Sequence, residues 1–244
     1  MPRLDVAHAL IDFHNAADLR QGVSMTFSDY EDAFEAVITR LLSLVSGLQP
    51  RPNHLACRLY GGWVTDTAES DDYHYVSAVA RKWIPSHGRV RVVFAFARAL
   101  WAFPELPLNT TLRYQSGLPP FRTIAPQAAC ALSAAPNACS LFAMKRWQAG
   151  RCPEKTCAVI DEQAFSRRRQ KTVDTTLCCD TLFIAEEDPQ SWVVVVSDDD
   201  DMVPCLISAG ARSSKIVQLR PLRRRGPHHY DSQLQAGGVR IQDW

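Results

Sequence analysis

The chain lacks a long apolar run. Its most continuous hydrophobic stretch, residues 90–103, is too short to cross a bilayer and is broken by Arg91 and Arg98. It also lacks a charge imbalance: 27 basic against 26 acidic side chains leave a formal net charge of +1, so global charge argues neither for nor against a polyanionic partner. The start, Met1-Pro2-Arg3-Leu4-Asp5, has none of the basic, apolar and cleavable parts of a secretory signal, so an intracellular, cytoplasmic location is expected and no membrane association. In that compartment the eight cysteines are expected as thiols or metal ligands rather than disulfides. No internal repeat is present.

What is there is α/β rhythm. Residues 4–13 read as a first strand. Ser28 or Asp29 is placed to cap a helix running to about Ser46, with Phe34, Val37, Ile38, Leu41, Leu42 and Val45 at helical spacing. A second strand is expected over 55–62, a helix over 70–83 and a third strand over 89–96. The pattern then breaks into a proline-rich stretch, read as an insertion over about 104–165 with structure of its own. It resumes with a helix over 173–187, a strand at 192–197, a helix over 203–211 and a strand over 215–219. Residues 221–244, basic and then polar, read as a flexible tail. One domain over 1–220 with a mostly parallel sheet and covering helices is the expected fold.

Acids gather where strands end or helices begin. The valine run 193–196 reads as a doubly buried strand, and Asp198-Asp199-Asp200-Asp201 stand at its carboxyl end. Asp12 closes the first strand, and Asp174 opens a helix whose amino end faces the same sheet edge, where open α/β sheets bind ligands. Asp180 lies about 120° around that helix from Asp174, able to border the cleft but not to share one ion. Clustered carboxylates, hard oxygen ligands, suit Mg²⁺ or Mn²⁺ rather than Zn²⁺.

Three motifs, Ile11-Asp12-x-x-Asn15, Lys171-x-Val173-Asp174-x-x-Leu177-x-x-Asp180 and Ser197-x-Asp199-x-Asp201 with Pro204, together resemble the NYN domain of the PIN-like nuclease superfamily, in its LabA-like branch. Arg58-Leu59-Tyr60-Gly61-Gly62 is similar to a strand end common in that family. The resemblance covers residues 4–98 and 171–219. It implies a Rossmann-like three-layer sandwich and a metal-dependent endoribonuclease. It further implies that Asp12, Asp174 and Asp199 hold Mg²⁺ or Mn²⁺, that Asn15 orients a ligand or water, and that Asp201 completes the acidic pocket. Ser197 would hold the loop, with Asp180 in a supporting role. Asp198 departs from the family, which usually has glycine there. A non-catalytic RNA-binding or scaffold module is the alternative. A haloacid-dehalogenase phosphatase would need Asp-x-Asp where this chain has Asp12-Phe13-His14, and a Toprim site needs a glutamate there.

Other features carry two readings each. Arg167, Arg168, Arg169 and Lys171 would hold RNA phosphates beside the cleft, or form a solvated basic loop. Arg223–Arg225 with His228 and His229 would make a second backbone contact or a nonspecific tail. Cys130, Cys139, Cys152 and Cys157 would bind a structural Zn²⁺, or be ordinary thiols. Cys57, Cys178, Cys179 and Cys205 are expected in the core. Trp63, Tyr73, Tyr75 and Trp83 would stack on unpaired bases or pack internally. RNA, single-stranded or a structured small RNA, is the expected partner; a homodimer or a protein partner stays open.

Overall fold

The structure, a computed structural model, describes residues 5–17, 25–65, 68–84, 90–107, 112–115, 167–170, 173–213, 215–221 and 228–244. The chain divides into two compact units, Met1–Thr111 with Lys171–Trp244, and Leu112–Gln170.

The first unit is built on a central sheet. Its described strands are β1 (Val6–Asp12), β2 (His54–Tyr60), β5 (Arg91–Phe96), β10 (Trp192–Val196), β11 (Ile216–Arg220) and β12 (Arg240–Asp243). They lie in the order β12-β11-β10-β1-β2-β5, and every neighbouring pair is parallel. A parallel sheet needs cover on both faces, which explains why β10 is apolar without alternation: all five of its residues are buried. Two short ribbons pair antiparallel beside the sheet: β3 (Val64–Thr65) with β4 (Ala68–Glu69), and β6 (Ala99–Leu100) with β7 (Phe103–Pro107).

One face is covered by α2 (Phe27–Ser46) and α3 (Asp71–Lys82), which follow the four-residue α1 (Phe13–Ala16) in the chain. Tyr30, Phe34, Val37, Ile38, Leu41 and Val45 form the buried stripe of α2, against Ile11, Leu55, Leu59 and Val194 of the sheet. The cap of α2 is Thr26 rather than Ser28 or Asp29. Its hydroxyl accepts from the Asp29 amide at 3.3 Å, and the Asp29 carboxylate accepts from the Thr26 amide at 2.7 Å. Asp29 is thus the third helical residue of a capping box, which is why an acid stands there. Thr26→Ala is expected to cost about 1 kcal/mol of stability, read by urea unfolding. No loss would show that the box adds nothing here.

The other face is covered by α4 (Val173–Glu187), α5 (Val203–Gly210) and α6 (Asp231–Ala236), whose Leu177, Ile184, Leu206 and Leu234 meet Leu10, Val193, Val195 and Ile216. The result is an α/β/α arrangement. β5 closes one side of the sheet; its Val92, Phe94 and Phe96 pack inward while Arg91, Val93 and Ala95 are exposed.

Residues 228–244, expected as part of a flexible tail, instead supply α6 and the edge strand β12. Their few apolar residues are placed where they bury: Tyr230, Leu234 and Val239 all enter the core. The buried Arg220 holds both new elements, donating to Asp243 Oδ1 and to Asp231 Oδ1 at 2.7 Å each. Gly238, at φ +83°, turns the chain from α6 into β12. Gly210 lies so close to this turn that a Cβ there would come within 2.1 Å of the Gly237 carbonyl oxygen.

In the second unit, β8 (Leu112–Gln115) pairs antiparallel with β9 (Arg167–Gln170). The independent unit therefore begins at Leu112 rather than near residue 104, because residues 103–107 belong to the β6–β7 ribbon of the first unit. Arg167, Arg168 and Arg169 form a strand and not a loop. Lys171, Arg223–Arg225 and the four cysteines Cys130, Cys139, Cys152 and Cys157 lie outside the described residues.

Candidate active site

The strand order fixes where a site can form. From β1 the chain runs outward through β2 and β5 on one side, and through β10, β11 and β12 on the other. The order reverses between β1 and β10, and loops leaving the two strands must diverge there, opening a crevice at their carboxyl ends. Asp12 is the last residue of β1, and Ser197 follows β10 directly.

Asp12 is 8% exposed and caps α1, its Oδ1 accepting from the Asn15 amide at 3.3 Å. Its carboxyl is pushed up to about 6, chiefly by burial, with the charges of Asp174 and Asp199 adding to the rise; the Asn15 hydrogen bond and His14 oppose it. Asp174, in the first turn of α4, and Asp199, after β10, therefore act on the same buried carboxylate. Two of the acids that the sequence singled out, Asp174 and Asp199, thus lie within electrostatic range of the third.

The loop holding Asp199 is tied down along its length. The Asn15 side-chain oxygen accepts from the Asp198 amide at 3.2 Å, so Asn15 joins the end of β1 to this loop. Ser197, almost fully buried, accepts from the Asp199 amide through its hydroxyl at 3.2 Å, and its carbonyl accepts from Gln218 Nε2 at 3.1 Å. Asp199 in turn caps the short helical turn Asp200–Met202, accepting from the Asp201 amide at 3.1 Å. Asp198, in the place of the expected glycine, is half-buried with its amide on Asn15. Asp201 is exposed beside Asp199.

Asp180 does not border this crevice. It is 1% exposed, and its carboxylate accepts from the Tyr60 hydroxyl at 2.7 Å and the Trp101 amide at 2.6 Å, with Arg58 Nε at 3.0 Å. Arg58 also donates to the Ala99 carbonyl. The arginine and tyrosine of the second strand and the second aspartate of α4 are thus one buried ionic cluster. A signal for it existed: Asp180 shares a helix face with the buried Leu177 and Ile184, a position where a carboxylate needs partners.

His14 is tied to an acid of α3. Its Nε2 lies 2.8 Å from Asp72 Oδ2, and its ring is tilted 5.8 Å from that of Trp63. Asp72 accepts from Tyr30 as well, and the His14 hydrogen bond, with Tyr30 aiding, holds its carboxyl below the usual range. Of the four aromatics considered for base stacking, Trp63 is fully buried and donates to the Leu59 carbonyl at 2.9 Å. Tyr73 packs edge-on against Trp63 and Phe96, and Trp83 against Phe94. Tyr75, at 38%, is the exposed one of the four, and it stacks on Tyr30. Among the cysteines expected in the core, Cys57 and Cys205 are buried, Cys178 is half-buried, and Cys179 is exposed because it sits on the outer face of α4.

Gln218 and Tyr230 were not singled out from the sequence. Gln218 sits in the middle of a buried strand, and Tyr230, in the supposed tail, donates to Asp200 Oδ1 at 2.6 Å. No periodicity or motif marks either residue.

Among the described residues, no three His, Cys, Asp or Glu side chains stand close enough to enclose one ion by direct contact. The three acids singled out offer carboxylate oxygens, Asp174 and Asp199 raise the buried Asp12, and the half-buried Cys178 thiol lies in the field of Asp174, Asp201 and Asp199. That chemistry fits Mg²⁺ or Mn²⁺, which keep several of their own waters and need only one or two direct carboxylates. No helix among the described residues is long and apolar enough to cross a membrane. No protein-family model, curated protein or solved structure matches the chain.

Proposed function

We propose that the chain is a Mg²⁺- or Mn²⁺-dependent endoribonuclease of PIN-like fold, acting at the crevice between β1 and β10. The observation that carries this reading is the action of Asp174 and Asp199 on the buried Asp12, which ends β1 at the switch point of a parallel sheet. Asp12 and Asp199 would hold the ion, with Asp174 from the facing helix completing the negative wall. When bound, such an ion acts as a Lewis acid toward a phosphoryl oxygen and makes a bound water easier to deprotonate. The chain's own residues do the positioning. Asn15 and Ser197 fix the loop on which Asp199 rides, and the exposed Asp201 places a further negative charge at the rim. The uncompensated carboxylates would repel a phosphodiester by themselves, so the reading requires the cation for binding as well as for cleavage. A cytoplasmic setting belongs to the same proposal.

The test is cleavage of an unstructured RNA in Mn²⁺, with Asp174→Asn alongside. Cleavage that is abolished by chelation and falls at least tenfold in Asp174→Asn is expected, on the order of the loss when a metal-site carboxylate is removed. RNA binding that survives chelation, with no cleavage under any divalent ion, would reject catalysis and leave an RNA-binding scaffold.

A further inference from the structure

We propose that Tyr230 is a positioning residue for the acidic loop, acting through Asp200; the inference rests on the nuclease reading of that loop. The start of the loop is held by the sheet, through Asn15 at the Asp198 amide and Gln218 at the Ser197 carbonyl. The far end, Asp200–Met202, is a single exposed-edged turn capped by Asp199 itself. A cap that is also a metal-site carboxylate cannot serve both roles well if the turn drifts. Tyr230 supplies the outside hold. Its ring is 6% exposed in the core with Leu206, Leu234 and Val239, so its hydroxyl position is set by packing rather than by the loop. That hydroxyl lies 2.6 Å from Asp200 Oδ1 and 2.8 Å from His228 Nδ1. A phenol has one proton to give. Given to Asp200, it leaves the oxygen to accept from His228, and the three groups form a directed chain ending on the loop.

This assigns different work to adjacent aspartates. Asp199 adds its charge to the field at Asp12, while Asp200 is a strut to the last helix and strand of the fold. It also gives α6 and β12 a role in the site, since their packing is what places Tyr230.

Tyr230→Phe keeps the ring and removes the hydroxyl. In the full-length protein its melting temperature is expected within about 4 °C of wild type. The Mn²⁺ concentration for half-maximal cleavage is expected to rise about 10- to 100-fold, as for loss of other groups that orient metal-site carboxylates. The KM for RNA at saturating Mn²⁺ should stay within about twofold. Asp200→Ala should reproduce the effect, and the double variant should be no worse than either alone. Asp200→Asn, which keeps an oxygen for the hydroxyl, should rescue it. An unchanged Mn²⁺ requirement in Tyr230→Phe, or additive losses in the double variant, would overturn the proposal. A second measurement does not depend on catalysis: amide hydrogen exchange at Asp199–Met202 in metal-free protein should speed up in Tyr230→Phe and Asp200→Ala. Should wild-type protein cleave nothing, the nuclease reading falls, and this exchange alone decides the positioning role. Unchanged exchange would then reject it.

Discussion

Asp12→Asn is expected to abolish RNA cleavage while making the metal-free protein more stable at neutral pH. The two effects share a cause. Burial, Asp174 and Asp199 raise the Asp12 carboxyl from an ordinary 3.8 to about 6. A raised acid holds its proton in the native state over a window where the unfolded chain has released it. Wild-type stability therefore falls as pH climbs from about 4 to 6, by roughly 1.4 kcal/mol for each pH unit crossed, and stays lower above that window. At pH 7 the ionised Asp12 should cost on the order of 3 kcal/mol, and asparagine removes that cost. Asparagine also keeps an oxygen for the Asn15 amide, so the cap of α1 survives. Unfolding by urea without metal should give nearly equal stabilities at pH 4 and a clear advantage for Asp12→Asn at pH 7. Mn²⁺ should narrow or reverse that advantage by stabilising only wild type, by about 2.7 kcal/mol at a hundred times its dissociation constant and more above it. Cleavage falling less than about tenfold, or a variant less stable at pH 7, would remove Asp12 from its assigned role.

Asp180→Ala is expected to do the opposite: destabilise strongly without touching the chemistry. The substitution strips the acceptor from Tyr60 and the Trp101 amide and leaves Arg58 beside no opposite charge. Removing one partner of a buried ion pair typically costs about 3–5 kcal/mol, which for a chain of this size is a drop of roughly 10–15 °C in melting temperature. Activity per folded molecule, measured well below the transition, should be near wild type. Replacing Arg58, Tyr60 and Asp180 together with apolar residues should cost less than Asp180→Ala alone, because no uncompensated charge remains. A large loss of kcat in stably folded Asp180→Ala would instead return this residue to the site.

The contrast between these two aspartates shows what the sequence could and could not convey. Asp12 ends, and Asp199 follows, a strand whose largely apolar run, broken in β1 by His8, identifies it as buried, so their position at the carboxyl edge could be read directly. Asp174 and Asp180 sit in one helix and differ in what lies opposite them. That depends on Arg58 and Trp101, more than seventy residues away, and on which face α4 turns to the sheet. The same limit hid the C-terminal strand. In residues 228–244 burial rests on Tyr230, Leu234 and Val239, too few for a hydrophobic pattern, and on Arg220, which anchors the segment from the preceding strand. The strands of the sheet interior and the main helices were legible because burying an apolar face imposes a period. Ribbons such as β6–β7, whose second strand is wholly exposed, carry no such period.

The chain reversal between β1 and β10 has a kinetic consequence. β1, β2 and β5 are contiguous in the first 96 residues, and β10, β11 and β12 in the last 53. Each group can pair internally over moderate sequence separations, but the pairing of β1 with β10 joins them across the chain, and the Asn15 bond to the Asp198 amide beside it spans 183 positions. Closing so long a loop is entropically costly, so the two groups should form before they dock. The acidic crevice lies on that seam. A chain with either half unmade would have strands and helices but no assembled acidic crevice, so the proposed activity would wait on the docking of the two halves.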